Sequence, residues 1–442
     1  MNTKIYKNAA DLSDFQKQIS AQIRPLEEIS DLDPLMELIG DSRYVLLGEA
    51  SHGTHEYYTW RMKLSRRLIR EKSFDFIAIE GDWPDCYRAN RYVKRYPESG
   101  KSAFEVLHAF NRWPTWMWAN WEMVAFLDWL HGHNHQEKKK TGFYGLDVYS
   151  LWESLDAILN YLEHTDPAAL SYAREAMRCF EPYRKENGLS YKRTGSIVSA
   201  HCEEEVLELL EIIRNNKKNY NNDHENVFSL EQNALVGVNA VKYYHAMMRG
   251  GPDSWNLRDH HMDETLERLM DFHGKGSKCI IWEHNTHLGD ARATDMADEG
   301  MINLGQLISE KHADKGVVTV GFGSYKGTVT AGRKWGDVIR KINVPEAIAG
   351  SWEYHMHKAT GGTNAMLLMD KLKGKPAFRK HYGHRAIGVV YQPEYEQYGN
   401  YVPSIMPDRY DAFLYIDETH ALNPLHVLPD GSQMPETYPF GM

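Results

Sequence analysis

Cysteine is scarce in this chain, with four in 442 residues. Cys86, Cys179, Cys202 and Cys279 lie far apart, and none falls in a paired metal-binding or redox spacing. All four are therefore expected to be reduced thiols, which points to a cytoplasmic setting. No apolar run long enough to span a bilayer occurs, and Met1–Ser20 has no apolar signal core, so neither membrane insertion nor export is expected. A strong basic stripe is missing as well. With a net charge of −10, nucleic acid is not an expected partner. No Gly-x-Ser-x-Gly elbow is present, and no cysteine stands beside the strand-end histidines His52, His55, His284 and His287, which removes the usual covalent nucleophiles there. Internal repeats and low-complexity tails are also absent from the sequence.

What remains is an ordinary globular composition, 42% hydrophobic and 25% charged. That length supports a large core, with one major domain and a substantial insertion. Twelve Trp and 26 Tyr suit a cleft for a bulky or sugar-like ligand, although large cores use aromatics too.

The organising stretch is Tyr44 to Glu56. Tyr44–Leu47 reads as a short buried strand that stops at Gly48. Glu49, Ser51, His52, Thr54, His55 and Glu56 follow at once, and then an amphipathic helix begins. Open α/β sheets place their chemistry at such strand-to-helix turns. A purely structural turn needs Gly, Asn or Asp, not this set of acids and bases.

Further short apolar runs follow the same plan. Phe74–Ile79 ends in Glu80-Gly81-Asp82, Thr141–Leu146 ends in Asp147, and Lys278–Trp282 runs into Glu283-His284-Asn285-Thr286-His287. Val317–Gly321 is a fifth strand, and Arg385–Tyr391 and Phe413–Ile416 read as closing strands. Continuous apolar runs of this kind suit a parallel sheet covered on both faces. The expected fold is α/β: a three-layer α/β/α core with a mostly parallel sheet and a large helical insertion. Residues 1–149 and 273–442 would form the two parts of the core, and residues 150–272 the insertion.

If these strands are parallel, their carboxyl ends share one edge, and Glu49, His52, Glu80, Asp147, His284 and His287 meet there. Histidines beside carboxylates make an oriented base that titrates near neutral pH. Arg61 falls on the inward stripe Tyr57, Arg61, Leu64, Leu68. It either snorkels at the helix edge or reaches back to an anion near the turn. The stretch Arg112 to Trp121 is either core-packing indoles or an aromatic wall, with Trp116 a candidate ligand contact. Arg258 and Asp147 are further substrate-binding candidates. Without a covalent nucleophile, water is the economical attacking group, and the reaction class is hydrolysis of an ester or similar acyl bond.

Two other readings stay open. The His-x-x-His pairs His52/His55 and His284/His287 could hold a metal with Glu49, Glu80 or Glu283. The aromatic supply could instead serve a non-enzymatic binder of haem or a sugar. His55 is the weaker functional candidate because it enters the helix. His245 reads as a core-edge histidine, and Glu203-Glu204-Glu205 as a solvated helix face.

Gly48-Glu49-Ala50-Ser51-His52, Arg61, Phe76-Ile77-Ala78-Ile79-Glu80, Arg112-Trp113-Pro114-Thr115-Trp116, Trp282-Glu283-His284-Asn285-Thr286-His287 and Gly321-Phe322-Gly323-Ser324-Tyr325 together resemble the erythromycin esterase family. The resemblance runs from about residue 25 to residue 420. It implies a three-layer α/β core with a helical region over the cleft. It also implies metal-independent, cofactor-free opening of a macrolactone ester by histidine-activated water, with a small-molecule substrate as partner. Carried over by position, His52 is the general base. Glu49, Arg61, Glu80, His284 and His287 match the other active-site residues. In that scheme Glu49, Glu80 or His284 orients base and water, and Arg61 or His287 stabilises the oxyanion. Some members carry a succinoglycan biosynthesis label, which no polysaccharide-chemistry motif in this sequence supports.

Overall fold

The computed structural model describes residues 13–97, 99–184, 200–220 and 223–426. Among the described residues eleven strands run in chain order: β1 Ile23–Pro25, β2 Tyr44–Leu47, β3 Phe76–Asp82, β4 Gly142–Asp147, β5 Cys279–Trp282, β6 Val317–Ala331, β7 Arg340–Val344, β8 Ala365–Leu368, β9 Tyr382–Arg385, β10 Tyr401–Ser404 and β11 Ala412–Thr419. Nine of them form one sheet in the order β1-β8-β11-β6-β2-β5-β3-β4, with β7 added to β6. The run β11-β6-β2-β5-β3-β4 is parallel throughout. Only β1, β8 and β7 enter antiparallel.

Side chains on the central strands alternate between two cores, as the two-residue period of a strand requires. Val45, Leu47, Ile77, Ile79, Ile280 and Trp282 pack on one face. Tyr44, Leu46, Phe76, Ala78, Cys279 and Ile281 pack on the other. The helix His55–Lys72 covers the first face through Tyr57, Tyr58, Leu64 and Leu68. The helix Asp253–His273 covers the second through Met262, Leu266 and Leu269. Each strand is therefore buried on both sides, which is why it reads as an unbroken apolar run.

Chain direction reverses about the centre of the sheet. From β2 the chain crosses to β3 and β4 on one side, then returns through β5 to β6 on the other. Open α/β sheets bind ligands at such a switch point, here beside the carboxyl ends of β2, β5 and β3. The β3–β4 ladder also shifts register between Ile79 and Asp82. Irregularities of this kind re-aim side chains, and here Glu80 is the residue that emerges.

Between β4 and β5 the described chain is almost wholly helical, from Leu151–Thr165 to Asp253–His273. These helices build a core of their own around Leu155, Ile158, Val206, Leu209, Val238 and Val241. Among the described residues no helix is long and apolar enough to cross a membrane.

Two expectations need correction. Cys179 and Cys202 are joined by a disulfide, while Cys86 and Cys279 are free and buried. The helices Pro167–Arg184 and Ala200–Asn216 pack together and bring the two sulfurs into reach. Their separation of 23 residues matches no short motif, so spacing could not reveal the pair. Cysteine usage therefore no longer argues for a reducing compartment. The run Arg385–Tyr391 is not a closing strand of the main sheet. Tyr382–Arg385 pairs with β10 in a separate two-stranded ladder, and beyond it only isolated bridges at Ile387 and Val390 remain.

Candidate active site

The turn after β2 is shaped by close approach. A side chain at Gly48 would collide with the Asn285 amide, and one at Gly53 with the Thr330 carbonyl. Glycine is thus demanded by neighbouring chain rather than by positive φ. The Asn285 N–H donates to the Glu49 carbonyl at 2.8 Å, which ties the end of β2 to the end of β5.

Glu49 lies between two partners. His52 Nδ1 is 2.9 Å from Glu49 Oε1, and Arg61 Nη2 donates to Glu49 Oε2 at 2.5 Å. Arg61 therefore reaches back to an anion at the turn instead of snorkelling. It is fully buried, and its guanidinium packs over the rings of Tyr58 and Trp282 at 4.4 and 5.0 Å. With Nδ1 held by the carboxylate, His52 has Nε2 left for other work. Burial disfavours a charge on His52, but the negative charge of Glu80 and the hydrogen bond with Glu49 outweigh it and raise its pKa.

Arg258 gathers the ends of β3 and β4. Its Nη2 donates to Glu80 Oε1 at 2.6 Å and to Asp147 Oδ2 at 2.7 Å, and its Nε donates to Asp147 Oδ1 at 2.9 Å. Nη1 reaches His287 Nε2 at 2.9 Å. Since a guanidinium can only donate, that nitrogen accepts, and the His287 proton sits on Nδ1, 3.0 Å from both Asp259 oxygens. Burial works to raise the Glu80 pKa, yet His287 and Arg258 overcome it and hold the carboxyl well below the usual range.

His284 differs from its neighbours. Its backbone N–H donates to Glu80 Oε2 at 2.9 Å. Its Nδ1 accepts from the Thr286 N–H at 3.3 Å and lies 2.8 Å from the Thr286 hydroxyl. An accepting Nδ1 puts the ring proton on Nε2, which is buried and has no hydrogen-bond partner. The His52 ring is 4.9 Å away, centroid to centroid. Burial, reinforced by His52, pushes the His284 pKa well down, so the ring is a neutral imidazole.

The structure thus gathers Glu49, His52, Arg61, Glu80, Asp147, Arg258, His284 and His287 at one sheet edge. Two other residues fall elsewhere. Trp116 is fully buried, edge-on to Trp113, and presents no ring face to solvent. His55 pairs with Glu122 Oε1 at 2.6 Å, away from His52. Glu283 is fully buried and neither carboxyl oxygen has a hydrogen-bond partner. Burial, with Glu80 and Asp259 nearby, raises its pKa well above the ordinary carboxyl range. Among the described residues no group of three or more His, Cys, Asp or Glu side chains is arranged to hold a metal ion.

Asp259 and Trp255 escaped the sequence reading. Trp255 stacks on His287 at 4.3 Å, nearly parallel. A signal was present: Trp255, Arg258 and Asp259 stand at i, i+3 and i+4 on one helix, so they share a face.

The erythromycin esterase family profile matches residues 69–419. An Escherichia coli protein described as erythromycin esterase type II is 25% identical over 156 residues, 34% of this chain and 35% of its own length. The chain thus spans about a third of that relative. Among solved structures, one described as a succinoglycan biosynthesis protein aligns with a TM-score of 0.74 at 20% identity, covering 92% of this chain and 97% of its own. A mutant erythromycin esterase in its open conformation aligns with a TM-score of 0.69 at 15% identity, covering 92% and 99%.

Proposed function

The chain belongs to the erythromycin esterase family, and from that premise we propose that it hydrolyses ester bonds, macrolactones among the possible substrates, with water activated by His52. The observation that carries the reading is the chain Arg61–Glu49–His52, 2.5 and 2.9 Å long, ending beside the unpartnered Nε2 of His284. Glu49 fixes the tautomer and orientation of His52, as a carboxylate does for a histidine base elsewhere.

The steps follow from the hydrogen-bond roles. His52 Nε2 takes a proton from water as the oxygen attacks the acyl carbon. The tetrahedral oxyanion is met by the N–H of neutral His284, a donor that needs no reorganisation at the moment of reaction. Collapse breaks the ester C–O bond, and the leaving alkoxide takes the proton back from His52. Acid and alcohol are the products. Arg61 and His287, expected as oxyanion donors, have other work here. Arg61 gives Nη2 to Glu49 while its Nε and Nη1 are closed to solvent under two aromatic rings, and both nitrogens of His287 are engaged by Asp259 and Arg258. Glu80, Asp147 and Arg258 hold the opposite wall and are the substrate-facing candidates.

This scheme runs without a metal or cofactor. The test is hydrolysis of 4-nitrophenyl butyrate and a macrolide panel by purified protein, before and after chelator treatment. Ester cleavage that survives chelation supports the reading. Activity lost with the chelator and restored by zinc or manganese would favour a metal-dependent hydrolase.

A further inference from the structure

Carboxylates outnumber cations around the candidate site. Glu80 and Asp147 share Arg258, and Glu49 takes Arg61. Asp259 faces His287, whose other nitrogen lies 2.9 Å from Arg258 Nη1. The four carboxylates Glu49, Glu80, Asp147 and Asp259 thus stand against two guanidinium groups.

Neither guanidinium is free for a ligand. All three nitrogens of Arg258 are engaged, by Asp147, Glu80 and His287. Arg61 gives Nη2 to Glu49, and its unpartnered Nε and Nη1 are enclosed by two aromatic rings and closed to solvent. Two residues past Glu80 along β3, Asp82 takes Arg112, so that cation is occupied as well. His284 places one unpartnered donor beside His52, its buried Nε2, and a single N–H suits one carbonyl oxygen. A carboxylate, phosphate or sulfate needs several donors or a free cation.

Two titrations point the same way. His52 is raised although it is buried, because the carboxylates around it prevail. Burial pushes the Asp82 carboxyl up to about 7 against the pull of Arg112, with Glu153 and Asp147 adding to the rise.

We infer that the site accepts esters that are neutral or positively charged near the scissile bond and turns away esters bearing an anion there. This inference rests on the reading of the site as an ester hydrolase. Hydrolysis itself adds no net charge, because the proton leaving water stays on His52 while the oxyanion forms. A fixed anion on the substrate has no such compensation, and like charges in a partly dry cleft repel strongly.

The experiment uses three 4-nitrophenyl esters of matched acyl length, ending in a methyl, a trimethylammonium or a carboxylate group. Each kcat/KM is divided by the ester's own rate with hydroxide. The expected order places the cationic and methyl esters together, with the carboxylate ester lower by about tenfold or more. A carboxylate ester cleaved as fast as its methyl counterpart would overturn the inference while leaving the hydrolase reading intact. No cleavage of any of the three would remove the hydrolase reading, and this inference with it.

Discussion

Arg61 donates to Glu49 across a fully buried contact of 2.5 Å, with no route to solvent on either side. Removing one member of a buried pair strands the other as an uncompensated charge. Arg61→Ala is therefore expected to cost about 3–5 kcal/mol of stability, read from urea unfolding, together with loss of turnover. Were Arg61 an oxyanion donor instead, turnover would fall with stability nearly unchanged.

The pH profile follows from His52. Its neutral form is the base, and neighbouring carboxylates raise its pKa above the ordinary 6.5. A raised pKa keeps the ring protonated, and inactive, to higher pH. The expected kcat/KM climbs with pH through an apparent pKa above that value and then levels. Glu49→Gln removes one raising influence and should move the limb towards lower pH, at reduced activity. A limb that stays in place in that variant would separate Glu49 from the base.

The disulfide makes a separate claim. Alkylation of the denatured, unreduced protein should modify the two free thiols, Cys86 and Cys279, and leave Cys179 and Cys202 unmodified. Cys202→Ser is expected to cost about 2–4 kcal/mol through the loop it opens, seen as a lower urea midpoint. Four reactive thiols would contradict the pairing.

The parallel centre of the sheet was legible because its strands are buried on both faces and therefore uniformly apolar. Glu49, Glu80, Asp147 and His284 stood out because each ends such a run. Parallel direction then brought them to one edge without further information. Partner choice was not legible. Nothing local tells that Arg258 gathers Glu80 and Asp147 from two strands, or that Arg61 pairs with Glu49 and is buried away from solvent. Asp259 sits within a helix among other polar residues and carried no strand-end signal. The stretch after Arg385 is rich in strand-forming residues, yet it forms no ladder. Its side-chain pattern could not distinguish a strand from the isolated bridges it makes, Ile387 with Ser51 and Val390 with Gly332.

Trp116 separates core from ligand wall. Full burial predicts that Trp116→Ala loses about 3–5 kcal/mol, as large aromatic truncations in cores do. The conservative Trp116→Phe should keep KM for the chromogenic ester within about twofold. A manyfold rise in KM for the Phe variant, at wild-type stability, would return the indole to the substrate.

The central claim is that His52 Nε2 activates the attacking water. Its most direct test is the rate of 4-nitrophenyl butyrate hydrolysis by His52→Ala against wild type, with circular dichroism confirming the fold of both. The account predicts clear wild-type hydrolysis and a loss of at least about a hundredfold in kcat in the variant. Near-normal hydrolysis by a folded His52→Ala protein would contradict it, and the base would have to be sought elsewhere on the same sheet edge.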